Sequence, residues 1–148
     1  MVARALRELG FNTSHVGSKP DKAPVRGSID EVVLGHARST GQIVVTSNHD
    51  MILLCAEQGE SVVWIDPRGK QYRRSEMVVL CFKGSEDWER RLGNADEPVC
   101  VRVLRTRAET LTIGRAAHLA RQRMRRLQAR ERQRSRPTAR TEPTNQGL

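Results

Sequence analysis

The sequence predicts an α/β fold with a mainly parallel sheet. Three observations carry this. Helical and strand-like patterns alternate along the chain, which is the signature of βαβ units. Two short apolar runs, residues 43–45 (Ile-Val-Val) and 61–65 (Ser-Val-Val-Trp-Ile), suit strands buried on both faces of a parallel sheet. Near the end, Val99, Val101 and Val103 alternate with other residues, and Leu111 and Ile113 alternate again after a break, which reads as a terminal hairpin.

The elements follow in order. Val2, Ala5, Leu6 and Leu9 recur at helical spacing, and Gly10 is a natural stop. Residues 11–16 are expected as a short strand. Residues 17–27 hold two prolines, two glycines and several charges, so a loop is expected there. Ser28-Ile29-Asp30-Glu31 has the spacing of a capping box, with Ser28 as cap and Glu31 reaching back. Ile29, Val32, Val33, His36 and Ala37 mark the inward face of the helix that follows, which ends near Thr40-Gly41. After the strand at 43–45 comes the polar turn Thr46-Ser47-Asn48-His49-Asp50, then a helix to about Gln58, stopped by Gly59. Asp66-Pro67-Arg68-Gly69 is a turn after the second strand. A helix from Ser75 or Glu76 carries Met77, Val78, Leu80 and Cys81 inward; Gly84-Ser85 is expected to interrupt it before Trp88, Arg91 and Leu92 resume the pattern to Gly93. From Arg115 a helical stripe of Ala116, Ala120, Met124 and Leu127 runs between arginines until Pro137, and residues 141–148 read as disordered.

Charge divides the chain. Among its 148 residues aromatics are only 3% and charged residues 29%, so the core must be small and aliphatic. The net charge of +9 is uneven: residues 1–114 hold 16 Lys+Arg against 15 Asp+Glu, while residues 115–148 hold ten Arg against two Glu. The expected organisation is a domain over 1–114 and an Arg-rich helical to disordered tail over 115–148. Such a tail points to a polyanion such as RNA, with Arg121, Arg123, Arg125, Arg126 and Arg130 as contacts, or else to a solvated arm. The stripe between those arginines is narrow enough that the tail is not expected to complete the core. Cys55, Cys81 and Cys100 are far apart and lie in apolar contexts, which suits buried thiols in a reducing cytoplasm and gives no zinc spacing. No apolar run approaches membrane-spanning length and no signal-peptide core opens the chain.

The residues expected to carry chemistry are acids at the sheet's carboxyl edge, where open α/β sheets bind ligands. Asp30 falls in the first turn of one helix, and Asp50 falls just after a strand, with Asn48 beside it. Each also has a plainer explanation: Asp50 as a helix cap, Asp30 as compensation of the helix dipole, and His36 as a satisfied core histidine.

This arrangement resembles the PIN-like nuclease domains. A helix with an early acid (Asp30), an Ile-Val-Val-Thr-Ser strand and a second acid in the next turn (Asp50) are similar to a small bacterial branch of that family, which reads roughly T-x-D-x-D-F after the strand. The likeness covers residues 1 to about 114 and rests on the order and spacing of several motifs. It implies a three-layer PIN-like fold with a C-terminal hairpin and a metal-dependent ribonuclease of the toxin–antitoxin type. Asp30 and Asp50 would bind Mg²⁺ or Mn²⁺ and act with Asn48 in catalysis. The implied partners are an RNA substrate and a cognate antitoxin protein, with no membrane; a homodimer is left open. Phosphodiester hydrolysis needs charge neutralisation and an activated water, and carboxylates holding such an ion supply both.

Two departures qualify the resemblance. Asn48 stands where the branch has an acid. The family also opens with a strand ending in a metal-binding Asp, just before the helix at Val2, and this chain has neither. The sheet is therefore expected to lack its first strand, from a start placed too late or from a truncated relative, and the chain to be weak or inactive in cleavage. The alternative within the family is a catalytically degenerate module that binds an antitoxin or RNA. A third class, a receiver or flavodoxin-like domain, needs an acidic triad or a phosphate loop that the sequence does not supply.

Overall fold

The computed structural model describes residues 2–14, 24 and 29–137. Ser28, most of the expected loop at 17–27 and the residues from 138 onward lie outside them. Among the described residues five helices and four strands make an α/β fold: α1 (Val2–Glu8), α2 (Asp30–Thr40), β1 (Val44–Thr46), α3 (His49–Gln58), β2 (Val62–Ile65), α4 (Arg74–Gly93), β3 (Val99–Val103), β4 (Ala108–Thr112) and α5 (Ile113–Arg134). The strands lie in the order β1-β2-β3-β4. The first three are parallel, and β4 returns antiparallel to β3 as the predicted hairpin. The described part of the expected strand at 11–16, Phe11 to Ser14, has no regular structure.

Strand alternation sorts the core into two layers. On one face Val62, Trp64 and Cys100 pack with Met51, Ile52 and Cys55 of α3, Leu34 of α2, and Ala116 and Ala120 of α5. On the other, Val63, Ile65, Val101 and Val103 pack with Leu6 of α1 and with Cys81 and Trp88 of α4. All three cysteines are free and buried, as expected. The strands advance in one direction across the sheet while α3 and α4 cover opposite faces. The two crossovers therefore have opposite hands, although about 98% of such connections are right-handed.

Several expectations are corrected. Strand β2 is buried on both faces, but β1 is an edge strand, and Ile43 and Val45 are about half exposed (46% and 50%). A groove of about 740 Å³ runs beside β1, lined by Leu6 of α1, Val33 and Ala37 of α2, and Trp88 and Leu92 of α4. On α2 the inward residues are Leu34 and Ala37 with Val33 beside them, whereas Ile29 and Val32 face outward. The cap position of α2 is Ile29, which offers no side-chain hydrogen bond.

Helix α4 runs unbroken through Gly84-Ser85. The indole of Trp88 lies against Gly84 so closely that a Cβ there would stand 2.6 Å from the ring. The glycine is thus a packing requirement and not a break. Helix α5 differs most from expectation. Ala116, Ala117 and Ala120 are buried, so its first half completes the core; small side chains let it lie close to α3 and the sheet. Only beyond them does the stripe reach solvent, with Leu127 about half exposed. Thr112 caps this helix by accepting from the Arg115 N–H at 3.2 Å.

Candidate functional site at the carboxyl edge of the sheet

The turn after β1 is built by short polar side chains. The Asn48 N–H donates to Thr46 Oγ1 at 3.0 Å, and Asn48 Oδ1 accepts from the Asp50 N–H at 3.0 Å. Asn48, not Asp50, is therefore the N-cap of α3. The Asp50 carboxylate is left free of that role and stands in the first turn of the helix, where the dipole favours a negative charge.

The first turns of α2 and α3 lie side by side. Asp30, Glu31, Asp50 and Glu57 line one shallow groove with Ile29, Leu53 and Leu54. The carboxyl of Asp30 is pushed above its ordinary value, first by partial burial, then by the charges of Asp50 and Glu31. The two acids singled out in the sequence thus share a groove and feel each other. Asn48 is near in sequence, but its amide oxygen is committed to the cap. Among the described residues no group of three or more His, Cys, Asp or Glu is arranged to hold a metal ion. Magnesium commonly uses one or two protein carboxylates and takes its other ligands from water and substrate phosphate. Asp30 and Asp50 are the residues of this groove that could serve such a mode.

On the other side of the α3 N-terminus lies a second cluster, which sequence reasoning missed. Asp66 follows β2 directly and is 2% exposed. It accepts hydrogen bonds from Arg102 Nε (2.8 Å) and from both terminal nitrogens of Arg123 (3.0 and 2.9 Å). Burial raises the Asp66 pKa, but these bonds and charges outweigh it and hold the carboxyl below its ordinary value. Arg102 also donates to Glu109 at 3.0 Å, and its guanidinium lies 5.1 Å from the centre of the Trp64 ring. His49 meets the same indole edge-on at 5.7 Å. Its pKa is lowered, by burial first and then by Arg123, against smaller opposing effects of Asp66 and Asp50.

Arg123 therefore turns its guanidinium toward Asp66, with its side chain 26% exposed. Arg121, Arg125, Arg126 and Arg130 are exposed and make no ion pair among the described residues. His118, Gln122, Arg126, Arg130 and Arg134 follow at four-residue spacing, so they form a row along one side of α5. One sequence signal could have found Asp66: it is an acid directly after a fully apolar strand, the same position that drew attention to the turn holding Asp50. No helix among the described residues is long and apolar enough to cross a membrane. No family model, curated protein or solved structure matches this chain.

Proposed function

We propose that the chain is a PIN-like, metal-dependent ribonuclease module of the toxin–antitoxin type, with Asp30 and Asp50 as its metal-holding acids. The observation that carries this reading is the meeting of Asp30 and Asp50 in one groove at the carboxyl edge of a mainly parallel sheet. Two carboxylates in a groove repel one another, and a divalent cation relieves that repulsion. Mg²⁺ or Mn²⁺ held there would neutralise phosphate charge and lower the pKa of bound water. The exposed arginines of α5 supply sequence-independent contacts to the RNA backbone.

Cleavage by this chain is weak on this reading. Two acids fix an ion loosely, and a misplacement of about 1 Å can cost on the order of 10²-fold in rate. The test is incubation of labelled RNA with the full chain and Mn²⁺, beside Asp50→Asn and an EDTA control. Slow cleavage that Asp50→Asn and EDTA both abolish is expected. Cleavage indifferent to either would remove the metal site from the account.

A second reading is favoured by one observation, the commitment of the Asn48 amide oxygen to the α3 cap. It takes the protein as a degenerate module that binds RNA or an antitoxin without cutting. RNA binding in EDTA together with no cleavage in Mn²⁺ would select it.

A further inference from the structure

Asp66 is already saturated, yet a third arginine stands beside it. Arg68 Nε lies 3.9 Å from Asp66 Oδ2, beyond hydrogen-bonding distance, and its side chain is 62% exposed. Three guanidinium groups, Arg68, Arg102 and Arg123, face two carboxylates, Asp66 and Glu109. One positive charge is left over, and it sits on the solvent-facing Arg68. The backbone adds a second, independent sign. Among the described residues Arg68 is the only non-glycine at positive φ, +49°. That left-handed conformation suits glycine and strains an arginine. The turn alone would be better served by glycine, and strain of this kind gathers where a side chain has a task. The position is the carboxyl end of an inner strand, with the Asp30–Asp50 groove on one side of the α3 N-terminus and α5 on the other.

We propose that Arg68 and Arg123 form a phosphate-contact site that receives the backbone of single-stranded RNA between the Asp30–Asp50 groove and the arginine row of α5. This rests on the RNA reading above and adds the path the strand takes. Arg102 is buried and serves Asp66 and Glu109. Arg123 is fixed by its two bonds to Asp66, which presents its outer edge in a set orientation. Arg68 supplies the charge that is not used inside the protein.

The test uses the full chain in EDTA, with a fluorescently labelled oligouridylate followed by anisotropy over a range of salt concentrations. Arg68→Gly is the informative variant, because glycine accepts the left-handed backbone. It should melt at the wild-type temperature or above. It should bind roughly tenfold more weakly, as expected for the loss of a charge-assisted hydrogen bond. Its plot of log affinity against log salt should be shallower by about 0.7, the value for one phosphate of a single strand. Arg68→Lys keeps the charge and should keep most of the slope. If Arg68→Gly binds like wild type while Arg126→Ala and Arg130→Ala bind more weakly, the Arg68 site is wrong and the RNA reading stands. Weaker binding by Arg68→Gly with an unchanged slope would also overturn the site. Absence of RNA binding by the wild-type chain would overturn both.

Discussion

Replacing Asp66 with asparagine should be among the most destabilising single changes in this protein. The carboxylate is 2% exposed and holds Arg102, whose side chain is 8% exposed, and Arg123, 26% exposed. Asparagine keeps the shape, removes the charge, and turns an N–H toward guanidinium donors. Removing one partner of a buried ion pair typically costs about 3–5 kcal/mol, because the other charge stays buried without compensation. Here Arg102 retains Glu109 and Arg123 reaches solvent, so the lower end, about 3 kcal/mol, is expected. Domains have roughly 5–15 kcal/mol of stability in all, and for this size the loss corresponds to a melting temperature lower by roughly 10 °C. Urea unfolding followed by tryptophan fluorescence suits the purpose, since Trp64 touches both His49 and Arg102. Asp87→Asn is the comparison: its partners Arg90 and Arg91 hold its pKa down at the surface, and its midpoint should stay near wild type. A loss under about 1 kcal/mol for Asp66→Asn would refute the claim that this carboxylate ties α5 to the sheet. The pH dependence has a definite sign. The folded Asp66 pKa is depressed, so its stabilisation is present above its ordinary value of 3.8 and is lost as pH falls through the folded pKa. The variant should lack that acid transition.

The remaining predictions concern other parts of the fold. Gly84→Ala places a methyl 2.6 Å from the Trp88 ring, so it should destabilise by about 1–3 kcal/mol in thermal melts despite alanine's better helix propensity. Asp30 has a raised folded pKa, so its contribution is present below its ordinary value of 3.8 and lost as pH rises through the folded one; Asp30→Asn should therefore raise the melting temperature at neutral pH in EDTA. The thiols of Cys55 and Cys100 are pushed up by burial to about 11 and about 12, and neither side chain meets solvent. Both should resist iodoacetamide at pH 8 and react only in urea, at a rate set by unfolding.

The readable parts of the fold were those that local pattern decides. The run Val62–Ile65 is an inner strand, the Asn48 turn sits at the sheet's carboxyl edge, and Gly41 and Gly59 end their helices in left-handed geometry. What failed depends on partners far along the chain. Residues 43–45 have the composition of an inner strand, but their place at the sheet edge is set by strand order and not by composition. Gly84 reads as a break until Trp88 is seen to need the missing side chain. The alanines of α5 look like a narrow stripe because small residues contribute little hydrophobicity, while their smallness permits the close approach that buries them. The meeting of Asp30 with Asp50 could be anticipated from a helix start and a strand end. The Asp66–Arg102–Arg123 cluster could not, since no spacing links residues 66, 102 and 123 before the topology is known.

The most direct test of the account is a calorimetric titration of the full chain with Mn²⁺, repeated on Asp30→Asn and Asp50→Asn. The account predicts one weakly bound ion in the wild type and loss of the binding heat in both variants, with the wild type also gaining thermal stability as Mn²⁺ is added. Equal heats in all three proteins, or none in the wild type, would contradict a metal-holding role for Asp30 and Asp50.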